Sequence, residues 1–113
     1  MAAPATQDIT IMRGDTEVVV AVLLEDDETT PINITGRTYT SQIRSSQEST
    51  IIAAEFTCAV TDGANGEVTC TLASADSAQL DPGHFYWDLQ EDASGVISTI
   101  LAGQVTVLAD VTR

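Results

Sequence analysis

The chain contains no lysine. Its four arginines (Arg13, Arg37, Arg44 and Arg113) face 17 acidic residues, for a formal net charge of −13. Nucleic-acid binding needs clustered cations to displace phosphate counterions, so no nucleic-acid partner is expected. The same charge disfavours an anionic membrane surface. No stretch approaches the roughly 18–20 consecutive apolar residues of a membrane-spanning helix. Met1 to Gln7 has neither the basic end nor the apolar run of a secretory signal, so folding in the cytoplasm is expected. With a single histidine, His84, and two cysteines, Cys58 and Cys70, a zinc site would need carboxylates to complete it. Aromatic residues are also scarce: Tyr39, Phe56, Phe85, Tyr86 and Trp87 are the full set.

The composition that remains suits a sheet. At 113 residues there is room for one domain, and 43% of the chain is apolar, mostly Val, Ile, Leu and Ala. A chain of this size buries roughly two-thirds of its unfolded surface. Small β-branched side chains fit a pleated, half-buried layer. Turn signals recur at the short, regular intervals of an all-β sandwich. Residues 1–7 are expected to form an extended N-terminal arm, and residues 8–113 a single immunoglobulin-like β-sandwich domain of about seven to eight mostly antiparallel strands.

The strands are placed by pattern. Asp8 to Met12 is a short first strand. Thr16 to Leu24 is almost wholly apolar and is expected to be a central strand covered on both faces. A short extended piece follows at Ile32 to Thr35. Arg37 to Arg44 alternates, with Tyr39, Ser41 and Ile43 on the inner side. Residues 51–60 and 67–73 form a hairpin around Thr61-Asp-Gly-Ala-Asn-Gly66. Its register sets Phe56 against Leu72, Cys58 against Cys70 and Val60 against Val68, all on one face. Ser74 to Leu80 is expected to make one helical turn capped by Ser74. His84 to Glu91 points Phe85, Trp87 and Leu89 inward. Gly103 is expected to mark a bulge or bend in a long last strand, Val96 to Val111.

The chemistry-bearing residues do not assemble into a catalytic set. Along a strand, His84 and Asp88 lie roughly 13 Å apart, too far for an acid–base pair. No enzyme activity, cofactor or metal is expected. Cys58 and Cys70 face each other inside the core, either as two buried free thiols or, alternatively, as a cross-strand disulfide. Glu25, Asp26, Asp27 and Glu28 lack the alternating ligands and glycine of a dedicated calcium loop, so they form a solvated acidic loop. Asp62 and Asn65 are explained by their turn. Arg13-Gly14-Asp15 spells an integrin-binding tripeptide, but it lies where a turn between strands needs glycine. Asn33-Ile34-Thr35 matches a glycosylation acceptor that matters only in a secreted eukaryotic chain.

One resemblance runs along nearly the whole chain. It starts at Met12-Arg-Gly-Asp-Thr16 before an apolar strand, then Pro31-Ile-Asn-Ile-Thr-Gly36 and Gln42-Ile43-Arg44. It continues through Gly66-Glu-Val-Thr-Cys-Thr-Leu72 and Leu80-Asp-Pro-Gly83. The close is Tyr86-Trp-Asp-Leu-Gln90, Ile100-Leu-Ala-Gly-Gln-Val-Thr-Val107 and Asp110-Val-Thr112. In order and spacing these segments resemble the N-terminal domain of phage baseplate upper proteins and related short tail-associated proteins. The chain stops at Arg113, where the baseplate protein continues toward a receptor-binding region.

The resemblance implies a bacteriophage structural (virion) protein, assembled in the host bacterial cytoplasm, that docks other virion proteins in the tail, baseplate or fibre-attachment region. Its partners would be other phage structural proteins, with the chain a homo-oligomer or present in multiple copies. A capsid decoration (cement) protein is the alternative, and a carbohydrate-binding sandwich a further one. The expected docking surface is the arm (Met1, Ala2, Ala3, Pro4, Ala5, Thr6 and Gln7), the loop Glu25, Asp26, Asp27 and Glu28, and the edge of the last strand. A short polar arm needs a surface to lie on, and a neighbouring subunit is the expected one.

Overall fold

A computed structural model describes residues 5–25, 27 and 29–111. Of the residues expected to dock, Met1, Ala2, Ala3, Pro4, Asp26 and Glu28 lie outside the described residues. The described residues form eight strands: β1 (Ala5–Thr6), β2 (Ile9–Met12), β3 (Glu17–Val22), β4 (Thr38–Arg44), β5 (Ala54–Asp62), β6 (Glu67–Leu72), β7 (Gly83–Ala93) and β8 (Val96–Leu108). A single helical turn, α1 (Ser74–Ser77), joins β6 to β7.

The strand order is β1-β8-β7-β4-β5-β6-β3, and β2 follows β1 along the same side of β8. β5 belongs to both layers. Ala54, Glu55 and Phe56 pair with Ile43, Gln42 and Ser41 of β4, whereas Thr57 to Asp62 pair with β6. A strand that changes partners in this way makes the corner of a sandwich. One layer is therefore β1/β2, β8, β7 and β4; the other is β6 and β3, with β5 shared. Only β1 and β2 run parallel to their neighbour. The fold is an all-β, immunoglobulin-like sandwich, as expected.

Alternation puts the core between the layers. Ile11, Ile43, Val68, Leu72, Leu89 and Val105 have no solvent exposure. Each such side chain contributes about 1.5–3 kcal/mol relative to an exposed position. Phe56 and Trp87, on the two strands that flank β4, meet at 6.0 Å between ring centroids with a 51° tilt. Such inclined pairs favour contact between a ring edge and a ring face.

The hairpin register holds where it can be read: Cys58 pairs with Cys70 and Val60 with Val68. Phe56 differs, because at that residue β5 has crossed to β4 and pairs with Ser41. The sides of β4 and β7 are as expected, with Ser41, Ile43, Trp87 and Leu89 buried.

Four expectations need correction. The apolar run of β3 is not central: β3 pairs with β6 alone and ends the sheet. Ile32 to Thr35 is not a strand; it is loop, anchored by the Ile34 amide donating to the Gly63 carbonyl at 2.9 Å, with the Ile34 side chain fully buried. Ser74 does not cap the helical turn. Ala73 stands at that position without a side-chain bond, and the hydroxyl of buried Ser77 donates to the Asp15 carbonyl at 2.6 Å while accepting from the Gly14 amide at 3.1 Å. That contact ties α1 to the β2–β3 turn.

The register shift in the last strand falls between Leu89 and Gln90, where Leu101 and Thr99 are the partners, so Ile100 is the extra residue. Gly103 instead stands in regular pairing with Trp87, and a side chain there would run into the Gln7 carbonyl. It is glycine because another backbone passes close by. Glu91, to which the strand pattern assigned no side, is an inward-facing residue with 7% exposure. Its carboxylate accepts the Tyr39 hydroxyl at 2.6 Å and pairs with the Arg37 guanidinium at 3.2 Å. Burial, followed by that hydrogen bond, pushes the Tyr39 phenol well above its ordinary range.

Candidate docking surface

A protein that works by being bound is read from its edges and outer faces, and the two ends of this sheet differ. At the β8 end, the described part of the arm is already engaged by its own domain. Ala5 and Thr6 pair with Leu101 and Ala102, and the Gln7 amide donates to the Ala102 carbonyl at 3.0 Å. The Trp87 indole N–H donates to the Gln7 carbonyl at 2.7 Å. The Asp8 carboxylate accepts the Gln104 amide at 3.0 Å. β2 continues the same pairing from Ile9 to Met12. The expectation of a free last-strand edge is corrected for Leu101 to Leu108, which β1, Gln7 and β2 cover. For Ala5, Thr6 and Gln7, the supporting surface is the chain's own β8.

The acidic loop is organised from within. Both Asp27 carboxylate oxygens are used: one accepts the Thr29 and Thr30 amides at 2.9 and 2.8 Å, the other the Thr30 hydroxyl at 2.6 Å. These bonds, the hydroxyl's first, lower the Asp27 carboxyl to about 2. The Glu25 amide donates to the Thr30 carbonyl, closing a small hairpin after β3. Gly66 packs against this hairpin's base with φ +73, where an added side chain would meet the Leu23 and Ile32 carbonyls. Asp27 thus serves its own turn, and Glu25 is left exposed.

Cys58 and Cys70 are free thiols, with the Cys58 thiol donating to Cys70 Sγ at 3.3 Å. That bond, then burial, pushes the Cys58 thiol up. Cys70 is buried and Cys58 half-buried. Arg13-Gly14-Asp15 forms the expected turn, with Gly14 at φ +89.

Two features on the outside remain. The outer face of β4, β7 and β8 is concave, forming a groove of about 390 Å³ lined by Gln42, Arg44, Tyr86, Asp88 and Gln90. Arg44 is fixed by donating to the Ser49 carbonyl and to Gln42 Oε1, both at 2.7 Å. Partial burial raises the Asp88 carboxyl, and Arg44 opposes this.

The second feature is β3. Because the Leu23 amide bonds the Gly66 carbonyl, the odd-numbered residues of the strand exchange hydrogen bonds with β6. In an antiparallel ladder the even-numbered residues then turn their N–H and C=O groups the other way, toward the open edge. Those residues are Val18, Val20 and Val22, with 52, 54 and 53% exposure. Nothing in the sequence distinguished inner from outer positions here, because Val occupies both.

The molecule is thus an immunoglobulin-like sandwich with one end closed by its own N-terminal strands and the other end open. No family model matches the sequence, and no curated protein is significantly similar to it. Among solved structures, the fold is similar to the N-terminal domain of ORF48 of phage TP901-1. The TM-score is 0.56 at 18% identity, covering 93% of this chain and 89% of that one. It is also similar to part of Listeria monocytogenes InlP, with a TM-score of 0.50 at 19% identity over 90% of this chain. There the match spans only 26% of the longer protein.

Proposed function

We propose that this chain is a structural protein of a bacteriophage particle, serving as a docking module in the tail, baseplate or fibre-attachment region. The observation that carries this reading is the likeness to the phage TP901-1 ORF48 domain along almost the whole of both chains. Fold alone does not assign function, so the surface must agree. The open edge of β3, of a kind that can pair with another chain, supports the reading. On this reading the protein catalyses nothing, needs no cofactor, and occupies the virion in multiple copies bound to other phage structural proteins. It contacts neither nucleic acid nor membrane.

The test is quantitative mass spectrometry of purified particles. A tail, baseplate or fibre role predicts a few to dozens of copies; a capsid decoration role predicts hundreds. Absence from the particle would sink the proposal.

The groove on β4, β7 and β8 favours one second reading, carbohydrate binding. Tyr86 supplies a ring there, and Gln42, Gln90, Arg44 and Asp88 supply donors and acceptors. Glycan-array binding by the isolated protein, lost in Tyr86→Ala, is the expected result for that reading.

A further inference from the structure

Natural proteins blunt an exposed strand edge with lysine, proline or a bulge. β3 has none of these. The chain contains no lysine, β3 no proline, and its ladder with β6 runs from Glu17–Leu72 to Val22–Glu67 without a register shift. Instead it carries three half-exposed valines at alternate positions, Val18, Val20 and Val22. Such an edge is out of character in a chain whose charge of −13 otherwise keeps it from associating.

The edge also has a seat beside it. A groove of about 360 Å³ runs between β2 and β3, with Gln7, Asp8 and Thr10 on one wall, Glu17, Val18 and Val20 on the other, and Leu101 within it. Its charged side chains are all carboxylates. Glu17 makes no ion pair among the described residues, and Arg13, the nearest cation in sequence, is paired with Asp110 at 4.0 Å. Desolvation, and after it the neighbouring Asp15, raise the Glu17 carboxyl above its ordinary range. A cation brought to this groove would oppose both effects by favouring the charged carboxylate.

These features point away from a second copy as the occupant. Two copies pairing antiparallel about Val20 would set Val18 against Val22, which is favourable, but would also bring the flanking Asp15 and Glu25 toward each other at both ends. Like charges brought together repel, and each copy adds a further −13.

We propose that the β3 edge accepts an extended, β-branched segment carrying lysine or arginine from a different protein, added as a further strand in the groove between β2 and β3. Main-chain bonds to Val18, Val20 and Val22 supply the pairing. The valine side chains match alternate residues of the incoming segment, and Asp8 and Glu17 select its cations. This rests on the reading of the chain as a docking module and names the chemistry of what it docks.

The experiment uses the full chain, isotope-labelled, and a blocked heptapeptide of alternating valine and threonine with lysine at both ends. At saturating peptide, amide exchange at Val18, Val20 and Val22 is expected to slow by about tenfold or more. A glutamate-ended peptide is expected not to bind, and added salt to weaken the lysine-ended one. Val20→Lys is expected to lower peptide affinity by about tenfold or more without changing the fold; if that variant does not fold, the salt dependence of the wild-type chain carries the charge test.

No protection at these amides, equal binding of the glutamate-ended peptide, or self-association of the free chain through β3 would each overturn the proposal. Incorporation into particles separates the two levels. If the wild-type chain is absent from particles, the virion reading fails. If it is present and a folded Val20→Lys chain assembles equally well, this inference fails by itself.

Discussion

The two layers of the sandwich are held by different means. The layer built on β8, β7 and β4 is laced by polar side chains: Trp87 to Gln7, Asp8 to Gln104, Tyr39 and Arg37 to Glu91, and the Ser41 hydroxyl to the Asp88 carbonyl at 2.7 Å. The layer of β6 and β3 relies chiefly on its ladder, its aliphatic inner face and the Cys58–Cys70 contact, with only the exposed Thr61 hydroxyl bonding Glu67 and Thr69 across the hairpin. The first layer ends in strands supplied by the same chain; the second ends at a bare edge. An edge the chain has spent residues to cover belongs to the fold, and one left bare is available to something else.

The largest effect should come from opening the covered edge. Gly103→Val puts a branched side chain where the Gln7 backbone runs, with no flexible group to give way. Displacing β1 also strands the Trp87 indole N–H in a residue that is only 3% exposed. The expected loss is about 3 kcal/mol in urea unfolding, combining overpacking with an unmet buried donor. A fully stable Gly103→Val chain would mean that β1 is dispensable. The same geometry revises where an arm deletion is informative: a chain starting at Asp8 should be less stable than one starting at Ala5 by about 1–2 kcal/mol, from the lost pairing and the lost Trp87 acceptor.

Next is the buried carboxylate. Glu91→Ala leaves the Tyr39 hydroxyl and the Arg37 guanidinium without their acceptor, and about 2 kcal/mol of destabilisation is expected. The figure is kept modest because the Arg37 side chain is 33% exposed and so partly served by water. A pH experiment tests the same cluster. The Tyr39 phenol is raised in the folded state, so the stability it contributes is intact below the ordinary tyrosine range, about pH 10, and falls as pH rises beyond it. The urea midpoint should therefore drop between roughly pH 10 and 11.5 more steeply in the wild type than in Tyr39→Phe. Parallel pH profiles would remove Tyr39 from the account.

How much of this was legible in the sequence follows from what each pattern encodes. Alternation is a local signal, so the inner residues of β4 and β7 and the Cys58–Cys70 register were readable from residue type and turn position alone. Strand order is not local. Thr16 to Leu24 is apolar at nearly every position, and such a run signals burial on both faces unless one knows that the strand has a single neighbour. Glu91 was passed over for the opposite reason: an acidic residue reads as outward until Arg37 and Tyr39, on a distant strand, are brought beside it. Gly103 was recognised as special, but its cause is the backbone of residue 7, nearly a hundred positions away. Of the expected docking surface, Ala5 to Gln7 and Asp27 are engaged within the chain. The open edge was named at the wrong end of the sheet, because covering strands in parallel pairing leave no turn between neighbours to announce them.

The smallest expected effect separates the two layers most cleanly. Val→Thr keeps shape and exchanges a methyl group for a hydroxyl, so its cost measures how dry a site is. Val105, in β8, has no exposure, and Val105→Thr should cost about 2 kcal/mol because it places a hydroxyl in the apolar core. Val20 lies on the bare edge with 54% exposure, and Val20→Thr should leave the free chain within about 0.5 kcal/mol of wild type. Chemical denaturation of the two variants side by side decides the matter. If Val20→Thr costs as much as Val105→Thr, then the β3 edge is already covered in the free chain, by its own residues or by a second copy, and a sedimentation measurement tells which. A near-zero cost means that Val20 stands in water in the isolated protein, as the proposed docking edge requires.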